Sequence, residues 1–194
     1  GALELNEVFV PKCHRVGGEG QGFSLFTTHF SFWRCCVAAT AIGAAQTALD
    51  HVKERLQTRH AFDGPIGRFT HLQQAYAQHA AHLHMAWLLV QSVAQRLDRH
   101  LYSYVDAAMV KAESVEAAIA AVQWAMLVHG AQGYVADNGL GKVLSDLLGL
   151  RIADGTCDVL RGQVARGLLG ESLYSQSLGR YAGPQSMIRE RQLW

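Results

Sequence analysis

A chain of 194 residues, 49% of them apolar, is long enough for one domain with a substantial core, or for one domain and a strip of a second. Its formal net charge of +1 contains no basic run, which removes the electrostatic footing for nucleic acid and for a membrane surface. The four cysteines lack CxxC or Cys/His spacing and no signal peptide is visible, so they read as reduced thiols of a cytoplasmic protein.

Leu3 to Pro11 reads as a short strand, partly alternating and closed by proline. A lone strand leaves its edges unpaired, so this one belongs to a sheet that the chain does not contain. Residues 1–22 are accordingly the last strand and linker of a truncated β-domain, 23–170 a helical bundle domain, and 171–194 a C-terminal tail. The glycine run from Gly17 to Gly22 is a flexible loop; it lacks the preceding strand and following lysine of a phosphate-binding loop.

A helix from about Phe23 to Gln57 is predicted by Phe30, Trp33, Val37, Ala41, Ala44, Ala48, Val52 and Leu56, which recur three or four apart. Asp63-Gly64-Pro65 stops it, because proline disfavours helix in the residue before it and glycine permits the turn. The second helix runs from about Thr70 to Arg99 on a stripe of Leu72, Tyr76, Ala80, Leu83, Trp87, Val90, Ala94 and Leu97. The third runs from about Tyr104 to Val128, with Ala108, Ala112, Val115, Ile119, Val122 and Met126. A shorter helix spans Leu140 to Leu150, and a last one Val159 to about Leu169. Three long striped helices with short connections bury those stripes against one another, so the fold class is all-α, an antiparallel four-helix bundle. The tail, with Leu173, Tyr174, Leu178 and Tyr181 among glycines and serines, either lies over a partner or frays.

The longest weakly charged run, Phe69 to Gln95, carries four histidines and suits a buried helix better than a membrane span. His79 and His82 share a face there, but a di-metal bundle needs carboxylates from several helices, and none lies between Asp63 and Asp98. No metal site is assigned. Trp33, Trp87 and Trp124 fall on or near the stripes and read as core. Between the last two helices, Asp154 precedes Gly155, and Thr156 is placed to cap the final helix. Taken alone that is ordinary turn chemistry.

Several phrases together resemble one family. Ile152-Ala153-Asp154-Gly155-Thr156 is similar to the isoleucine-tyrosine-glutamate-glycine-threonine loop of the acyl-CoA dehydrogenases, with Asp154 on the glutamate that serves as catalytic base. Arg59-His60-Ala61-Phe62-Asp63-Gly64-Pro65-Ile66 resembles that family's arginine-phenylalanine-glycine-proline-isoleucine phrase, and Gln73 matches a glutamine that follows. His129-Gly130-Ala131-Gln132-Gly133-Tyr134 resembles its glycine-rich loop, and Val8 to Pro11, Gly20 to Phe23 and Arg34 match in the same order. The resemblance covers roughly Leu5 to Leu169 and departs at Asp63 and Ala131, where glycine is usual, and at Leu127, where glutamine is usual.

The resemblance implies FAD as cofactor and α,β-desaturation of an acyl thioester, on coenzyme A or a carrier protein, with Asp154 removing the α-proton. Arg59 and Phe62 would meet the diphosphate and adenosine of a flavin held by a neighbouring subunit; Gln73, His129, Gly130, Gly133, Thr156 and Asp158 complete the cofactor positions. Some relatives place the base just before the arginine matched by Arg34; Trp33 stands there and cannot serve. The protein would then be a homo-oligomer or pair with a homologous subunit, and the domains that hold most of the flavin would come from elsewhere. A rival reading is a catalytically inactive bundle that acts as a dimerisation or scaffold partner, for which the departures at Asp63, Leu127, Ala131 and Asp154 speak. Flavin-site chemistry other than desaturation has no residue in its support.

Overall fold

The computed structural model describes residues 2–101 and 103–170, so the expectations for the tail, on Leu173, Tyr174, Leu178 and Tyr181, lie outside the described residues. It is built from helices α1 (Gly22–Thr58), α2 (Thr70–Asp98), α3 (Tyr104–His129), the single turn α4 (Ala131–Tyr134), α5 (Leu140–Ile152) and α6 (Cys157–Leu169). Each boundary falls within about two residues of where periodicity and punctuation put it. Ser103 caps α3 by accepting from Asp106 N at 3.1 Å, and Thr156 caps α6 by accepting from Val159 N at 3.3 Å.

Direction follows from cross-helix contacts. Arg34 reaches Tyr104 and Arg55 reaches Val128, so α1 and α3 run parallel. The ion pair Arg96–Asp106 and the ring contact Tyr76–Trp124 set α2 antiparallel to α3. Cys157 meets Ala112 O near the middle of α3 and Gly167 lies against Val105 near its start, so α6 also runs against α3. Between them α5, tied through Arg151 to Glu116, occupies the same side. The fourth strut of the bundle is therefore a broken helix, α5 then α6, interrupted at residues 153–156.

α3 is the axis of the molecule. Ala107, Ala108, Val110, Ala112, Val115, Ala118, Ala121, Val122 and Ala125 are all fully buried and cover more than half of its circumference, leaving a face with Glu113, Ala120, Gln123 and Leu127 exposed. The predicted stripe described only part of a wider buried arc that meets several neighbouring helices; its alanines let those neighbours approach closely. Against it pack Leu49, Val52, Leu83, Leu147 and Leu160, each buried, and burial of one such side chain is worth about 1.5–3 kcal/mol.

Three expectations change. Residues 2–11 form no strand, and among the described residues there is none; Leu3, Leu5, Val8, Phe9 and Val10 are exposed, because no second strand is present to complete a ladder. Trp33 is exposed, since Arg34 already meets the start of α3 and the first three turns of α1, with Phe23, Phe26 and Phe32, lie beyond it. Trp87 is exposed as well: the inner face of α2 is Leu83, Ala86, Val90 and Val93, which leaves Trp87 at its edge. Trp124 does pack on the core, half-buried beside Tyr76. No helix among the described residues is long and apolar enough to cross a membrane.

Candidate functional site

The predicted residues fall into two places. Arg59, Phe62 and Gln73 stand at the C-terminal end of α1, and His129, Gly130 and Gly133 at the C-terminal end of α3, which is the same end of the bundle. Asp154, Thr156 and Asp158 lie at the break in the fourth strut, at the level of Lys111, which at 1.5 Å per residue is about 27 Å along α3 from His129.

At the first place the chain makes a tight hairpin. Ala61 N donates to Gly64 O at 2.9 Å and Ile66 N to Arg59 O at 2.8 Å, with Phe62 and Asp63 at the tip in positive-φ conformations of 52° and 67°. Aspartate is among the few side chains that tolerate that region, so the path survives where glycine is usual. Phe62 is 80% exposed, touching Phe69 edge-on, and Arg59 is exposed beside it. Gln73 donates to Gly67 O at 2.8 Å and so braces the base of the hairpin.

The neighbouring loop is tied to α1 by a residue that sequence reasoning missed. Arg55 donates from Nε to Val128 O at 3.0 Å, from Nη2 to His129 O at 3.0 Å and from Nη1 to Gln132 Oε1 at 2.6 Å, which caps the end of α3. The His129 ring is buried and donates from Nδ1 to Ala125 O at 2.8 Å, so the loop offers outward its Gly130 to Gln132 stretch and not that imidazole nitrogen. A Cβ on Gly133 would stand 2.3 Å from Met126 O, so glycine there serves the fold of α4 against α3. Ala131 opens α4 without a positive φ, and its backbone does not require the glycine usual at that position.

At the second place Asp154 has φ 56° and Gly155 φ 94°, a double left-handed step that turns the chain from α5 into α6. The half-buried Asp154 carboxylate makes no hydrogen bond with the described residues; what is held is its backbone. Two buried cations surround it. Arg34, 3% exposed, donates from Nε to Asp154 O at 3.4 Å and from Nη2 to Tyr104 Oη at 3.4 Å, and its guanidinium lies 5.3 Å from the Phe30 ring and 4.6 Å from that of Tyr104. Lys111, fully buried, donates to Gly155 O at 2.8 Å, Arg151 O at 3.2 Å and Cys157 Sγ at 3.8 Å. Burial pushes the Lys111 ammonium down from its ordinary 10.5, opposed by Cys157 and Asp154 nearby. The signal that could have found Lys111 is one cation inside the apolar run 107–112.

Thr156 spends its hydroxyl oxygen on the α6 cap, and Asp158 stands exposed in the first turn of that helix. A carboxylate without a hydrogen bond from the described residues, in a loop braced by cations, can accept a proton; an exposed arginine beside an exposed ring suits a diphosphate and an adenine. Among the described residues no three His, Cys, Asp or Glu side chains gather as a metal set; His79 stacks on Trp124 at 5.1 Å.

A family model, that of the acyl-CoA dehydrogenase C-terminal domain, matches residues 20–169. A probable acyl-CoA dehydrogenase of Bacillus subtilis is 32% identical over 165 residues, which cover 85% of this chain and 43% of that protein. Among solved structures, a glutaryl-coenzyme A dehydrogenase in complex with glutaryl-CoA superposes with a TM-score of 0.80 at 29% identity, over 83% of this chain and 41% of that one. A structure of PigA with FAD and proline superposes with a TM-score of 0.80 at 25% identity, over 84% of this chain and 43% of that one. The chain thus spans less than half the length of the relatives it matches.

Proposed function

This chain belongs to the acyl-CoA dehydrogenase family, through that family's C-terminal helical domain, and on that premise we propose that it is the helical part of a flavoprotein that desaturates an acyl thioester between the α and β carbons. Asp154 is the base. It takes the α-proton as the α,β double bond forms, and a polarised thioester carbonyl with water excluded makes so weak an acid removable. FAD, when bound, supplies the acceptor for the β-hydride. The observation that carries this reading is an Asp154 carboxylate that accepts no hydrogen bond from the described residues, on a main chain pinned by two buried cations.

The separation of about 27 Å between the two places supports a division of labour. Asp154, with Thr156 and Asp158 beside it, serves the flavin of its own active site; Arg59, Phe62, Gln73 and the loop at His129, Gly130 and Gly133 face a flavin held by a second subunit. The partner is another copy or a homologous subunit, the thioester is carried by coenzyme A or a carrier protein, and the protein works in the cytoplasm, where Cys13, Cys35, Cys36 and Cys157 stay free thiols. Residues 1–22 form the lead-in from a β-domain, 23–170 the bundle and 171–194 a tail. The inactive-scaffold reading loses support at two of its departures, because Asp63 and Ala131 both keep the backbone path.

The test is anaerobic mixing of the flavin-loaded assembly with a panel of saturated acyl thioesters. Bleaching of the visible flavin band by at least one thioester is expected. A bound flavin that no thioester bleaches, or an assembly that takes up no flavin, would make the scaffold reading the better one.

A further inference from the structure

We propose that Lys111 is a positioning residue that acts through Asp154; this rests on the reading of Asp154 as the base. The fourth strut must break to display that carboxylate, and a helix break in a packed interior leaves the last carbonyls of one helix and the first N–H groups of the next without partners. Thr156 caps one of those N–H groups from within the break. The carbonyls are served from α3. The three N–H bonds of the Lys111 ammonium meet three acceptors, Arg151 O in the last turn of α5, Gly155 O in the break and Cys157 Sγ at the start of α6. One side chain thereby joins both ends of the interruption.

Packing alone does not account for a lysine here. Lys111 is fully buried on a helix whose buried residues are mostly alanine and valine, where an unbranched apolar side chain would fill the space without the cost of desolvating a cation. The negative end of the α5 dipole offsets part of that cost, since Arg151 O belongs to its final turn. From the other side Arg34 Nε takes Asp154 O. Carbonyls of residues 151, 154 and 155 are thus all held by buried cations, and Asp154 is kept at φ 56°, a conformation that a released loop would leave. With no hydrogen bond from the described residues to its carboxylate, the placement of that carboxylate rests on its main chain. Lys111 holds that main chain on both sides of Asp154, at residues 151 and 155, and Arg34 holds it at 154.

The test is Lys111→Met, read in two ways. Hydrogen exchange of the whole protein should quicken at least about tenfold in peptides covering residues 150–158, with the peptides of α1 and α2 unchanged. In rapid mixing of the flavin-loaded assembly with a thioester it bleaches, Lys111→Met should slow flavin reduction by about ten- to a hundredfold at unchanged KM, as expected for a base displaced by about 1 Å. On an Asp154→Asn background the same change should cost less than twofold. Lys111→Gln, which keeps a neutral amide NH2 with two N–H donors, should recover part of both effects, and it takes the place of Lys111→Met if that variant does not fold. Unaltered exchange at 150–158, or an equal slowing with and without the Asp154 carboxylate, would overturn the proposal. A different result, Asp154→Asn with an undiminished rate, would overturn the base reading beneath it.

Discussion

The hairpin at Phe62 and the break at Asp154 use the same backbone device and support it in opposite ways. Both put residues other than glycine at positive φ, Phe62 and Asp63 in one and Asp154 in the other, at a cost on the order of 1–2 kcal/mol each. The break is held from beneath by two buried cations on the main chain, so its geometry is complete within this chain. The hairpin is held by its own main-chain bonds and by Gln73, and its tip carries an aromatic ring into solvent. On the proposed function, the internally braced carboxylate works for its own site, and the exposed ring meets a flavin brought by a second subunit.

That contrast is breakable by substitution. Asp154→Asn should slow flavin reduction by at least about a hundredfold in stopped flow while leaving flavin affinity within about twofold, since it removes a base and keeps the shape. Phe62→Ala should do the converse: flavin affinity of the assembly, followed by equilibrium titration, weakens about tenfold, while thermal unfolding of the chain moves by no more than about 0.5 kcal/mol because the ring is exposed. Equal behaviour of the two variants would erase the distinction between the loops.

Smaller effects sharpen it. Thr156→Ala removes the α6 cap and should cost about 1 kcal/mol in denaturant unfolding, with the loss concentrated in the break. Asp63→Gly relieves a left-handed aspartate at the price of a freer unfolded chain, so stability should rise by less than about 1 kcal/mol. A loss of stability in that variant would mean that the Asp63 side chain supports the hairpin.

Local rules made most of the helices legible. Thr70, Tyr104 and Leu140 open helices where periodicity and turn residues put them, because a 3.6-residue period and a proline or glycine stop are written in adjacent residues. Register was less legible: Trp87 drew the stripe of α2 one position away from Ala86, since size suggests burial while the inner face of a close-packed helix favours small residues. The strand read at Leu3 to Pro11 needs a sheet that the sequence itself places outside this chain, and among the described residues it does not form. Asp154, Arg59 and Phe62 were found through resemblance. Lys111, the cation-π seat of Arg34 and the three bonds of Arg55 were not, because each joins elements more than 40 residues apart or takes its meaning from backbone atoms that become neighbours only after folding.

The most direct measurement of proton removal by Asp154 is exchange at the substrate itself. The flavin-loaded assembly, incubated anaerobically in D2O with a saturated acyl thioester, should place deuterium at the α carbon, detected by mass spectrometry, and Asp154→Asn should suppress that exchange by about a hundredfold or more. Exchange in Asp154→Asn at the rate of the unaltered protein would show that another group moves the proton, and Asp154 would then be a turn residue before α6.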